Sequence, residues 1–203
     1  MLTFAAAVLF LVGTPGPGVL STAGVGAGFG FRAGLRYLTG LFIGTNLVLL
    51  AVITGLAALI LAVPSLRYLL MAASLGYLIY LAAKIAFAGS RIAFITADRA
   101  PGTRSGIALQ LINPKAYAVN TTLMANFAYA PENLMFETAS KLLIMNLIWI
   151  PIHLVWLYAG ASLHRLNLST RAQRRINGVM AAAMLAVVIL ALVANLNQSG
   201  ATP

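Results

Sequence analysis

Two apolar stretches of membrane length are each interrupted midway by proline, about half the chain apart. The first runs through Gly13-Thr14-Pro15-Gly16-Pro17-Gly18 and the second through Ile112-Asn113-Pro114-Lys115-Ala116. Proline removes a backbone N–H, and its ring collides with the carbonyl one turn back, so an unbroken helix does not pass comfortably through either site. In hydrocarbon the backbone groups so freed survive only where protein buries them or where they line a polar cavity. Matching interruptions in the two halves of a membrane chain are the pattern expected around the binding site of a solute carrier.

Composition supports the lipid setting. The 203 residues are 61% hydrophobic and 8% charged, whereas soluble domains run near a quarter charged. That leaves too little polar surface to cover a water-soluble globule, and the length fits one membrane domain. The net charge of +10 is the excess of thirteen Lys and Arg over Asp98, Glu132 and Glu137. Nucleic-acid binding would need those cations gathered on one solvated face. They lie instead in short segments between apolar runs, where they meet anionic headgroups and set orientation. No cysteine is present, which excludes disulfides, thiolate metal sites and thiol redox chemistry. No His/Cys/Asp/Glu cluster suggests a metal, and no cofactor motif is seen. The apolar run from Leu2 to Val12 has no basic segment before it and resumes after the prolines, so it reads as a retained first helix rather than a signal peptide.

A hydrocarbon core needs roughly 20 apolar residues of helix to cross. Six runs qualify, over 2–28, 36–63, 66–87, 106–127, 139–163 and 176–196, with turns expected at Pro64-Ser65 and Tyr129–Asn133. Arg32 and Arg36, then Lys84, Arg91, Arg99 and Arg104, then Arg165, Arg171, Arg174 and Arg175 fall in alternate links. The positive-inside rule places those links in the cytoplasm and both termini outside. The expected fold is an all-α integral membrane protein with six transmembrane helices in two inverted three-helix halves. These are residues 1–88 and 106–203, joined by a basic linker over 89–105, with helices 1 and 4 broken. Gly24 and Gly28, Gly26, Gly30 and Gly34, and Gly40 and Gly44 recur at spacing four, which lets helix backbones approach closely in lipid. Packing between the first two spans is the expected use.

At each break a new helix starts with unpaired N–H groups and the positive end of its dipole, an arrangement that attracts anions. Pro15, Gly16, Pro17 and Gly18 make the first break, with the Ser21 and Thr22 hydroxyls beside it. The upstream stub offers carbonyls that suit an ammonium. A zwitterionic amino acid fits that pairing, as do other small zwitterions and anions. At the second break Asn113 can bond exposed backbone next to Pro114. Lys115 is either a site residue or a cation reaching for the cytoplasmic face. Asn120 lies one to two turns further, facing the cavity or bridging helices. His153, two residues after Pro151, is the proton-relay candidate because no carboxylate lies within a span interior; a silent, singly bonded histidine is the other reading. Trp149, Trp156 and Tyr158 read as packing or interfacial groups.

Thr14-Pro15-Gly16-Pro17, Gly40-Leu41-Phe42-Ile43-Gly44, Tyr77-Leu78-Ile79-Tyr80-Leu81-Ala82-Ala83-Lys84 and Asn113-Pro114-Lys115-Ala116 occur in this order along nearly the whole chain. Together they resemble the motifs of the LysE/RhtB family of amino-acid exporters. The resemblance implies a multi-pass protein of the bacterial inner membrane that exports amino acids or derivatives against protons, with six helices and dimerisation left open. Two positions depart from the family pattern. Gly18 stands where the first motif usually ends in Asn, and Asn46 stands where members that export basic amino acids resemble one another in carrying a carboxylate. Asn46 cannot neutralise a second cation, so a neutral amino acid is the favoured cargo.

Two rival classes fit the sequence less well. Gly160-Ala161-Ser162-Leu163-His164, with His153 as base, superficially suggests an intramembrane hydrolase, but no oxyanion-hole context accompanies it. A non-transporting membrane scaffold would leave the broken spans costly and unexplained.

Overall fold

The computed structural model describes residues 1–14, 16–86 and 100–165, with only isolated positions between 169 and 186 beyond them. Every described element is an α-helix. The first, α1 (Leu2–Gly13), ends because Thr14 precedes a proline and adopts φ −59°, ψ 125°, the extended region proline imposes on its predecessor. The Thr14 N–H and hydroxyl both turn back to the Phe10 carbonyl, at 3.0 and 2.6 Å. The next helix, α2 (Pro17–Ile53), opens on a proline, where the missing N–H would have had no intrahelical partner anyway.

Gly30 divides α2. Its φ of 78° and ψ of 174° lie in a region that is essentially glycine's alone. Tyr37 donates its hydroxyl to Ser21 Oγ at 3.0 Å across sixteen residues, which a straight helix would hold about 24 Å apart. A β-carbon on Gly34 would likewise stand 3.6 Å from Gly26 Cα. The chain therefore reverses at Gly30, and the legs 17–29 and 31–53 run antiparallel.

The run expected over 36–63 is divided. A left-handed Gly55, φ 77°, follows α2, and a short α3 (Leu56–Ala62) comes before α4 (Pro64–Ala86). Pro64 is thus the first residue of a helix, where proline is well tolerated. The stretch expected over 106–127 is α5 (Thr103–Ile112) and α6 (Pro114–Ala125), separated by Asn113 alone. The last fully described helix is α7 (Leu134–Arg165), started by Asn133, whose Oδ1 accepts from Phe136 N–H at 3.0 Å. Residues 87–99 of the basic link, and most of the stretch expected over 176–196, lie outside the described residues.

Among the described residues, three helices, α2, α4 and α7, are long and apolar enough to cross a membrane. Polarity is distributed inside out. Leu2, Phe10, Leu59, Leu143, Leu147 and Val155 are exposed, while Thr45, Gln110, Asn113, Asn120, Glu137, Lys141 and His153 are buried. An apolar exterior, with polar side chains kept inside an otherwise apolar core, suits a lipid solvent. Small residues set the packing. Gly44 would place a β-carbon 2.7 Å from Gln110 Cβ, and one on Gly106 would strike the Tyr37 carbonyl, so the second leg of α2 lies against α5. One on Gly26 would come 2.9 Å from the Leu157 carbonyl oxygen, and one on Gly160 would strike Ala23, so the first leg lies against α7. The glycine spacing thus serves contacts with α5 and α7 as well as the expected packing of the first two spans on each other. Tyr37, Leu41, Leu109, Trp149 and Leu157 form the core where these elements meet.

Candidate functional site

Both breaks open onto one cavity of about 430 Å³, counting the space at its mouth. Its apolar wall includes Leu11, Val12, Val19, Ala116 and Val119, and its polar wall Thr14, Thr45, Gln110, Asn113, Lys115, Asn120, Trp149 and His153. Gly16 and Gly18 supply bare backbone.

The second break is closed by its own neighbours. Asn113 Oδ1 accepts from the Lys115 backbone N–H at 3.1 Å, the N-cap bond that a new helix needs. Its Nδ2 then donates to Gln110 Oε1 at 3.0 Å. This chain of bonds fixes both amide orientations: a backbone N–H can only donate, so Asn113 presents oxygen there and nitrogen to Gln110. Gln110 is left with its own NH₂ group, unpartnered among the described residues. Gln110 itself lines the cavity. Tyr117 donates its hydroxyl to the Leu111 carbonyl at 2.8 Å, satisfying the end of α5.

The first break is closed from the second. Lys115 extends across and donates from Nζ to the Thr14 carbonyl at 2.6 Å. A cation at the C-terminal end of α1 meets the negative end of its dipole. Gly16 makes room for it, since a β-carbon there would stand 2.8 Å from Lys115 Cδ and 2.9 Å from Nζ. Lys115 thus lines the site. Among the described residues, no carboxylate lines the cavity.

His153 stacks on Trp149, with ring centroids 3.6 Å apart and 15° between planes. Its Nδ1 lies 2.9 Å from the Trp149 carbonyl oxygen. A carbonyl only accepts, so Nδ1 carries the proton and the neutral ring presents Nε2 as an acceptor. That atom points at Gly18, whose β-carbon would sit 3.5 Å away. Asn120 is 5% exposed, and its Nδ2 has no partner; buried polar groups seldom go unpaired without a reason.

Of the residues singled out from sequence, Gly16, Gly18, Asn113, Lys115, Asn120 and His153 come together here. Pro17 and Pro114 start the two inner half-helices without lining the cavity, and Pro15 lies outside the described residues. Ser21 is fully buried, donates to the Gly18 carbonyl at 2.9 Å and accepts from Tyr37. Asn46 is turned elsewhere, exchanging hydrogen bonds of 3.1 and 3.0 Å with Asn146. Thr45, its neighbour, faces the cavity instead. Sequence reasoning missed Thr45, Gln110 and Trp149. The last two had a signal, since Gln110 lies one turn before Asn113 and Trp149 one turn before His153.

Glu137 belongs to a different assembly. Its Oε1 accepts from Lys141 Nζ at 2.6 Å, and its Oε2 accepts from the Tyr129 and Ala130 N–H groups at 3.0 and 2.6 Å. Lys141 also donates to the Met124 carbonyl at 3.0 Å, and its ammonium lies 5.8 Å from the Phe4 ring centroid. This cluster ties α1, the end of α6 and the start of α7 away from the cavity. The hydrolase constellation does not assemble. Ser162 donates to the Tyr158 carbonyl at 2.8 Å, and nine residues of helix hold it about 13 Å along the axis from His153.

Two half-helix pairs meeting at a polar cavity, inside a bundle whose exterior is apolar, define a membrane translocator of small solutes. The chain belongs to the LysE type translocator family, whose model matches residues 9–196. No curated protein and no solved structure matches it. It is accordingly a multi-pass membrane protein of the amino-acid and solute exporter kind, with a small molecule as cargo and lipid as its surroundings.

Proposed function

We propose that the protein exports small neutral amino acids or their derivatives across the bacterial inner membrane, coupled to inward proton movement. The observation that carries this reading is the Lys115–Thr14 bond, which joins the two broken helices across one cavity. Six crossings are proposed. They are α1 with the first leg of α2, the second leg of α2, α4, α5 with α6, α7, and a last crossing in 176–196. The basic links then face the cytoplasm, both termini face outward, and the two three-helix halves are inverted with respect to each other. Substrate contacts are assigned to Gly16, Gly18, Asn113, Lys115 and Asn120. Pro15, Pro17 and Pro114 hold the breaks open, while Ser21 and Asn46 act as supports. His153 is the proton relay: its Nε2 is a proton acceptor within the cavity wall, whereas Glu137 is committed to Lys141. Dimerisation is compatible with this arrangement and not required by it.

The test is efflux of labelled alanine, threonine and leucine from proteoliposomes under an imposed proton gradient. Export of at least one, collapsed by a protonophore and by His153→Ala, is the expected result. A full panel with no flux would end the reading.

A further inference from the structure

The cavity offers a cargo many donors. Lys115 Nζ has one protein acceptor among the described residues, the Thr14 carbonyl, and an ammonium has three N–H groups to place. Gln110 presents its NH₂ group, by the chain of bonds that starts at the Lys115 backbone N–H. The first turn of α2, at Gly18 and Val19, adds backbone N–H groups that a helix start leaves without intrahelical acceptors. Among the described residues, no Asp or Glu lining the cavity balances this charge.

Among the stub carbonyls that would suit a cargo ammonium, Thr14 O already accepts from Lys115. His153 Nε2 is an acceptor on the polar wall, and a neutral imidazole nitrogen takes an O–H as readily as an N–H.

Building on the carrier reading above, we propose that this site recognises its cargo by the carboxylate, held by Lys115 and Gln110, and that the cargo's amino group is dispensable. Short 2-hydroxy acids therefore share the site with the corresponding amino acids. Amino amides, which keep the ammonium and lose the carboxylate, do not. Cationic amino acids are rejected because nothing in the wall neutralises a second positive charge.

The experiment uses the full chain in proteoliposomes and needs no variant to be decisive. For whichever of alanine, threonine and leucine is carried, the matching 2-hydroxy acid and amino amide compete against it. The 2-hydroxy acid should compete within about threefold of the amino acid, and the amide should be about tenfold weaker or worse, the size expected for losing a charge-assisted hydrogen bond. Lys115→Met should abolish the gap between amino acid and amide. Competition by the amide equal to that of the amino acid overturns the proposal, as does a 2-hydroxy acid that fails to compete. Either result leaves an exporter standing with a different recognition rule. If none of the three amino acids moves, the carrier reading itself falls and the proposal with it.

Discussion

At Asn113 the chain closes a helix break with side chains from the same segment, whereas at residues 14–16 it has almost none to use. Asn113 caps α6, Gln110 receives its amide and Tyr117 reaches back to Leu111. The first break offers a threonine hydroxyl spent on Phe10 and two glycines. Its outstanding carbonyl is satisfied by Lys115, a residue 101 positions away. One break is therefore a stable structural joint, and the other depends on its counterpart. A mobile cargo-binding element is more easily built from the second kind, because a single long flexible side chain is all that must let go.

The largest effect expected from breaking this asymmetry is at Lys115. Lys115→Met keeps most of the apolar stem but removes the only charged donor in the cavity wall among the described residues. A hydrogen bond to a charged group contributes roughly 1.5–3 kcal/mol, so efflux should fall about tenfold or more while the protein still inserts and purifies. Near-normal efflux would mean that the first break needs no help from the second.

Asn113→Ala attacks the self-closed break and should act on stability more than on flux. Loss of an N-cap costs about 1 kcal/mol, and Gln110 would lose its partner as well. A lowered melting temperature in detergent, with residual efflux above that of Lys115→Met, is the expected outcome. The reverse order of the two variants in efflux would invert the comparison.

How much of this was legible beforehand depends on whether the information is local. Both breaks, the apolar exterior and the candidacy of Lys115, Asn120 and His153 follow from residue type and position in a membrane-length run. Gly30 was one of several glycines at spacing four, and only its positive φ in the folded chain marks it as the reversal point. Asn46 was singled out because it stands where the exporters of basic amino acids that the chain resembles carry a carboxylate. That its partner is Asn146 rather than a cargo is a matter of tertiary contact. Glu137 read as the border of a span, and its commitment to Lys141 is an i,i+4 pair that helix periodicity could have shown. Thr45 and Asn46 show the limit most clearly: adjacent residues on one helix point about 100° apart, so an uncertain helical phase exchanges a cavity residue for a bridging one.

The smallest effect belongs to Tyr117→Phe, and it tests the comparison from the other side. The Leu111 carbonyl would lose one neutral hydrogen bond at the edge of the second break. In membrane helices such bonds average about 0.6 kcal/mol, so melting should shift slightly and efflux should be within about twofold of the parent. If the second break is a self-sufficient joint, removing one of its several ties leaves Asn113 and Gln110 to hold it. A collapse of efflux on the scale of Lys115→Met would show instead that this break also moves during transport, with the Tyr117 hydroxyl as part of the moving contact.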